Sequence, residues 1–326
     1  MTSLVWLITG ASSGLGYELA QQALLRSEKV IATGRSGKSF TNLDGLKAQG
    51  AQIRELDVTS PLETLREVAR EAVEIYGRID VLVNNAGYVC NGTIEETTPQ
   101  ETYDQFNTNL FGAINVVRAF LPYMRDKKSG TLVWISSLYG VVSGPYWGNY
   151  IGTKWAMRGI SRSIHEEISS LGLRSICIEY GHTRSPVLEP GRRKPKGLAI
   201  PDYEDIVSCH EANAQAMNGK QPGDPVKCTQ AIIDTVRGEG AATGKYGNHD
   251  CQASEGVAKH PRQSLPFDVD MSAAFPPDLL LGSDSYRIAS EAKKNDLEVF
   301  EEWKDVTCGV DLSSEFNPVS VDDYRL

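Results

Sequence analysis

The sequence has no long hydrophobic run. None of its stretches approaches the roughly 18 consecutive apolar residues of a membrane-spanning helix, and the longest early run is Leu4 to Ile8. No membrane partner is expected. That run begins close behind Met1, which leaves no room for a secretory or transit peptide and points to the cytoplasm. Cysteine is sparse and scattered: Cys90, Cys177, Cys209, Cys228, Cys251 and Cys308 form no C-x-x-C pair, and no histidine stands at zinc-ligand spacing. Reduced thiols are expected, with neither a disulfide framework nor a metal site. Positive charge is in deficit, 33 Lys and Arg against 42 Asp and Glu, so the net charge of −9 gives a nucleic-acid backbone little general reason to bind. There is no internal repeat, and 15 Pro with 30 Gly do not fit a collagen-like or wholly disordered chain.

What is present is an ordinary globular composition, 40% hydrophobic and 23% charged over 326 residues, enough for two domains or one large α/β domain. Short apolar runs near Leu4 to Thr9, Lys29 to Gly34, Gln52 to Asp57, Ile79 to Asn84, Thr131 to Ser136 and Ser175 to Tyr180 read as strands. Helical periodicity fills the intervals Gly14 to Arg26, Pro61 to Tyr76, Pro99 to Arg125 and Tyr150 to Leu171. Unbroken alternation of this kind specifies a parallel sheet with helices on both faces. The predicted fold is therefore α/β, a Rossmann-type doubly wound sheet of about seven strands. Pro61 suits a helix start, and Pro122 is expected to bend or end a long helix.

Beyond Gly181 the pattern loosens. Residues 186–224 include four prolines between Pro186 and Pro201, the basic run Arg192-Arg193-Lys194 and a helical stretch from Asp202 to Met217, and read as a segment covering a substrate. A helix at Pro225 to Arg237 follows. Residues 238–278 are rich in Gly, Pro and Ser without any period and read as an irregular surface insertion, with a functional lid as the alternative. Residues 279–326 supply a last strand at Leu279-Leu280-Leu281 and a charged helical extension from Asp284 to about Lys304. The whole of 1–326 is expected to form one domain.

Between the first strand and first helix stands Thr9-Gly10-Ala11-Ser12-Ser13-Gly14-Leu15-Gly16. Glycines at such a junction let the backbone N–H groups of Gly10, Ser12, Ser13, Gly14, Leu15 and Gly16 approach a pyrophosphate at the positive end of a helix. The end of the second strand carries no carboxylate for the ribose hydroxyls. Instead Arg35 and Ser36 follow Gly34, and a guanidinium suits a 2′-phosphate through paired donors. NADP(H) is thus preferred over NAD(H), against the plainer reading of Arg35 as a solvated loop residue.

Tyr150 and Lys154 lie four positions apart on one helix face. A free phenol, with a pKa near 10, is a poor base at neutral pH, and a nearby cation favours its ionised form. Ser137, at the end of the fifth strand, can sit beside the phenol and hold a substrate oxygen.

Together these residues resemble the short-chain dehydrogenases/reductases of the compact type. Thr9 to Gly16 matches that family's T-G-x-x-x-G-x-G turn, Asp57-Val58 its adenine-contacting pair, and Asn84-Asn85-Ala86-Gly87 its N-N-A-G segment. The resemblance places Asn85, Ala86 and Gly87 with the cofactor-binding residues, and Asn109 as the helix asparagine that organises a proton-relay water. It implies that Tyr150 exchanges a proton with the substrate oxygen, that Lys154 lowers the phenol's pKa and holds the nicotinamide ribose, and that Ser137 orients the carbonyl while hydride passes directly from the nicotinamide. It further implies a homodimer or homotetramer.

Two departures stand out. The family's usual Pro-Gly followed by Thr is here Glu179-Tyr180-Gly181-His182-Thr183-Arg184-Ser185. Gly181, Thr183 and Ser185 remain candidates beside the nicotinamide, while Tyr180 replaces the proline. His182 is near enough to approach the site but reads as a satisfied or solvated loop residue, and His165 as part of a solvated helix face. Second, Leu281 to Tyr286 resembles the last strand and turn of longer fungal and bacterial members, which reach it by a shorter connection; Gly244 to Pro277 is extra. The expected reaction joins NADP(H) to a small-molecule ketone or secondary alcohol. Tyr139, Val141, Tyr146 and Trp147 would favour a bulky, partly apolar one, as in a ketoreductase of secondary metabolism. A non-redox protein on the same scaffold, a cofactor sensor or an isomerase-like enzyme, is the competing reading.

Overall fold

Seven short segments pair side by side into one parallel sheet, ordered β3-β2-β1-β4-β5-β6-β7. The computed structural model describes residues 2–189, 200–246 and 275–310. In chain order the elements are β1 (Val5–Ile8), α1 (Gly14–Leu25), β2 (Lys29–Gly34), α2 (Lys38–Thr41), α3 (Asp44–Ala48), β3 (Gln52–Glu55), α4 (Leu62–Tyr76), β4 (Val81–Asn84), α5 (Pro99–Phe106), α6 (Gly112–Lys127), β5 (Gly130–Ile135), α7 (Gly148–Ser169), β6 (Leu173–Tyr180), α8 (Glu204–Met217), α9 (Pro225–Arg237), β7 (Asp278–Leu281), α10 (Ser283–Glu302) and α11 (Lys304–Cys308). The doubly wound α/β architecture expected from the alternation is present. No helix among the described residues is long and apolar enough to cross a membrane.

The inner strands are buried at nearly every position because both faces are covered. All four residues of β1 and of β4 are buried. Leu7, Leu82 and Trp134 join one core with Leu65 and Ala69 of α4, Val116 and Phe120 of α6, and Met157 of α7. Trp6, Ile8 and Val83 face the other way, onto Leu19 and Ala23 of α1 and Ile232 and Ile233 of α9. The sheet order reverses between β1 and β4, and the crevice at their carboxyl ends is where such sheets bind ligands.

The expected helix from Pro99 to Arg125 is three pieces. A capping box between Thr98 and Glu101 starts α5, a π-helical turn spans Asn107–Phe111, and α6 then runs past Pro122 to Lys127. Pro122 neither ends nor visibly breaks the helix, since one lost donor is outweighed by buried Val116, Val117, Phe120 and Met124. The interruption lies instead where Asn109 turns inward.

Both described ends of the expected insertion meet at one point. The Tyr246 and Phe275 rings pack edge to face with centroids 5.1 Å apart, and the Arg174 guanidinium lies over both, 5.8 and 4.3 Å from their centres. Residues 247–274 of that insertion, and the run Arg192-Arg193-Lys194, lie outside the described residues. In the C-terminal extension, α10 buries Ser285 and Ala289 against the sheet edge.

Candidate active site

The glycine turn is built against the segment after β4. The buried Thr9 hydroxyl accepts from the N–H groups of Asn85 (2.9 Å) and Ala86 (3.1 Å) and donates to the Val83 carbonyl (3.1 Å), while Asn85 Nδ2 donates to the carbonyls of Thr9 and Gly10. Gly10 has φ of +64°, and a Cβ there would meet Ala86 Cα at 2.8 Å; at Gly16 a Cβ would lie 2.3 Å from Asn85 Nδ2. These contacts require glycine. Gly14, at φ of +59°, has open space beside it, and Ser13 makes no side-chain cap to α1, whose first turn holds no acidic residue. The first-turn amides of Gly14, Leu15 and Gly16 therefore have no intrahelical partner, and the cradle suits a pyrophosphate.

Arg35 and Ser36 are exposed directly after β2, alongside the turn. Asp57 Oδ1 is held by the Thr59 N–H (2.9 Å) and hydroxyl (2.7 Å), and Val58 is buried, its carbonyl pressed against Gly112.

Ser137, Tyr150 and Lys154 converge at the carboxyl end of β5. Ser137 Oγ accepts from the Tyr139 N–H (3.2 Å) and lies near enough to the Tyr150 phenol to favour its ionised form. Lys154 is buried, donates to the Ile135 carbonyl (2.7 Å), and holds its ammonium 5.5 Å from the centre of the Tyr150 ring. Burial pushes the phenol's pKa up to about 12, with Ser137 pulling it the other way, and pushes the lysine down to about 8. Here the cost of burying a phenolate outweighs the pull of Ser137.

Asn109 is fully buried. Its Oδ1 accepts from the Tyr88 N–H and its Nδ2 donates to the Tyr88 carbonyl, both at 3.0 Å. The amide also donates to Thr153 Oγ1 (3.3 Å), which in turn donates to the Tyr150 carbonyl (2.7 Å). Asn109 thus reaches the turn carrying Tyr150 through Thr153, a link with no sequence signal beyond its position next to Lys154. Gly87 lies against the same amide.

On the loop after β6, the Gly181 N–H bonds to Leu281 of β7, Thr183 forms a bridge to Gly223, and Ser185 is extended. Tyr180, in the place of the usual proline, is a buried strand residue paired with Leu281. His182 is satisfied, its N–H and Nδ1 both 2.8 Å from Asp284 Oδ2. His165 is not on a solvated face as expected: it is half-buried, and its Nδ1 accepts from the Ser175 N–H at 3.1 Å. Sequence reading also missed an ionic cluster behind Lys154. There Arg158 Nε lies 3.1 Å from buried Glu179, and Arg158 and Arg162 both reach Asp278. Burial raises the Glu179 pKa to about 7, against the pull of Arg158.

The family profile described as short chain dehydrogenase matches residues 4–196. The chain belongs to that family. A relative described as Oxidoreductase BOA17, from Botryotinia fuckeliana, is 31% identical to this short-chain dehydrogenase over 233 residues, 71% of this chain and 84% of its own. A solved short-chain dehydrogenase from Streptomyces avermitilis is similar over 95% of this chain and 99% of its own, at 31% identity and a TM-score of 0.76. ElxO, solved with NADP bound, is similar over 71% of this chain and 90% of its own, at 25% identity and a TM-score of 0.59.

Proposed function

We propose that this short-chain dehydrogenase reduces a bulky, partly apolar ketone to a secondary alcohol with NADPH, Tyr150 acting as the general acid. The observation that carries the reading is the convergence of Ser137, Tyr150 and Lys154 at the carboxyl end of β5, beside the switch point. NADP(H) fits the glycine cradle, with Asn85, Ala86 and Gly87 lining the turn, Asp57 and Val58 at the adenine end, and Arg35 and Ser36 at the ribose 2′ position. Gly181, Thr183 and Ser185 would border the nicotinamide, which supplies the hydride when bound. ElxO, a relative by fold, holds NADP.

The residues' share of the chemistry follows from their protonation. A phenol with a pKa of about 12 keeps its proton throughout the neutral range, so Tyr150 has a proton to give to a carbonyl oxygen. Ser137 holds the same oxygen in place. The Lys154 ammonium eases the negative charge left on Tyr150, an effect strengthened by the site's low polarity. Tyr139, Trp147 and the described residues of the covering segment, 186–189 and 200–224, would wall the substrate. The cytoplasm and a homo-oligomeric state fit this reading.

The test is steady-state reduction of a panel of ketones with NADPH and NADH. Tyr150→Phe should lower kcat by roughly 10²–10⁴-fold, the usual worth of a general acid, and leave NADPH binding unchanged. Arg35→Asp should shift the preference toward NADH. Turnover that survives Tyr150→Phe would sink the assignment.

A further inference from the structure

Tyr146 has φ of +73°, a left-handed backbone that a bulky aromatic residue rarely adopts and that persists only where the surroundings impose it. It stands two residues before α7 and four before Tyr150. The ring is almost wholly buried, its hydroxyl donates to Glu211 Oε1 at 2.6 Å, and its face stacks on His210 with centroids 5.6 Å apart and planes 21° from parallel. Both partners belong to α8. From the other side, the Tyr146 carbonyl accepts from the Gly92 N–H at 2.9 Å.

The next residue continues the grip. Trp147 meets His210 edge-on (5.3 Å) and Tyr139 edge-on (5.2 Å), and its Nε1 donates to Asn91 Oδ1 (2.9 Å). Its carbonyl accepts from the Ile151 N–H (2.8 Å), in the first turn of α7. Tyr139 in turn gives its N–H to Ser137. A chain of direct contacts therefore runs from α8 to both ends of the Ser137 and Tyr150 pair.

We infer that Glu211 and His210 of α8 are positioning residues: by holding Tyr146 in its left-handed conformation they fix the direction in which the chain enters α7, and so the place of the Tyr150 phenol against Ser137. A glycine at 146 would accept the same φ but would give α8 nothing to hold, while any other orientation of Tyr146 would withdraw its hydroxyl from the carboxylate and turn the start of α7. The charge-assisted bond to Glu211 is the stronger of the two ties. The inference rests on the reading of Tyr150 as the acid, because a misplaced acid is what converts loss of the grip into loss of rate.

Glu211→Ala and Tyr146→Phe remove the tie from either side, whereas Glu211→Gln keeps an acceptor at the same reach. Amide hydrogen exchange should quicken at Gly92 and Ile151 in the first two variants. Their kcat for ketone reduction should fall by about tenfold with NADPH affinity within about twofold of wild type, the double variant should be no worse than either single one, and Glu211→Gln should resemble wild type. Wild-type exchange in Glu211→Ala and Tyr146→Phe, or faster exchange with unchanged kcat, would overturn the inference. If the wild-type protein reduces no ketone, the reading of Tyr150 fails, and the exchange rates still decide whether α8 holds the start of α7.

Discussion

Lys154 is a cation held where the surroundings disfavour its charge. Burial lowers its pKa from 10.5 to about 8, a difference worth on the order of 3 kcal/mol. In the unfolded chain the amine is protonated up to about 10.5, so between pH 8 and 10.5 the unfolded state binds more protons and this group's contribution to stability rises with pH. Lys154→Met removes the penalty and also the bond to the Ile135 carbonyl, which offsets roughly 1–3 kcal/mol of the gain. The variant should therefore melt no lower than wild type at pH 7, and the increase in wild-type stability from pH 8 to 10 should shrink. Thermal melts across that range read both effects. Turnover should fall in the variant at every pH, and in wild type above about pH 8, as the ammonium beside the Tyr150 ring loses its proton.

At the scale of elements, α7 is tied down along its length, among others by the contacts before Gly148, by Lys154 on Ile135, and by Arg158 and Arg162 on Asp278 at the start of β7. Arg158 and Asp278 are mostly buried, with side-chain exposures of 14% and 12%, whereas Arg162 is 48% exposed. Asp278→Asn should thus cost about 2–3 kcal/mol by leaving Arg158 short of a partner, and Arg162→Ala less than about 1 kcal/mol. Chemical denaturation separates the two. Because pairing lowers the Asp278 pKa, its stabilisation is complete above the ordinary value of 3.8 and is lost as pH falls through the lower folded value. None of this was legible in the sequence, where Glu179, Arg158 and Asp278 are far apart and carry no period. The strands, most of the helices and the glycine turn were legible because each is written locally, in continuous apolar runs or in glycines at a strand end. The π-helical turn at Asn107–Phe111 was not, because it is bound up with the Asn109 bonds to Tyr88 and Thr153, which exist only once the chain is folded.

For the molecule as a whole, the described ends of the insertion bear on its role. Tyr246 and Phe275 meet over Arg174, which also donates to the Thr131 hydroxyl and the Val236 carbonyl. Arg174 and Thr131 sit at the starts of β6 and β5, so the insertion is rooted at the amino ends of the strands. Ser137, Tyr150 and the glycine turn lie at the carboxyl ends. A lid over the substrate would have to cross the whole sheet. Since the chain leaves and returns at nearly one place, residues 247–274 can be replaced by a linker of about four residues, which spans up to roughly 13 Å. Closing the shorter loop should cost on the order of 1–2 kcal/mol less entropy. The shortened protein should keep wild-type NADPH affinity and ketone turnover and melt no lower than the full chain, as long as the Tyr246 and Phe275 rings are retained. A melting temperature well below wild type would mean that the removed residues pack against the core. A loss of turnover at unchanged melting temperature would mean that they reach the substrate after all.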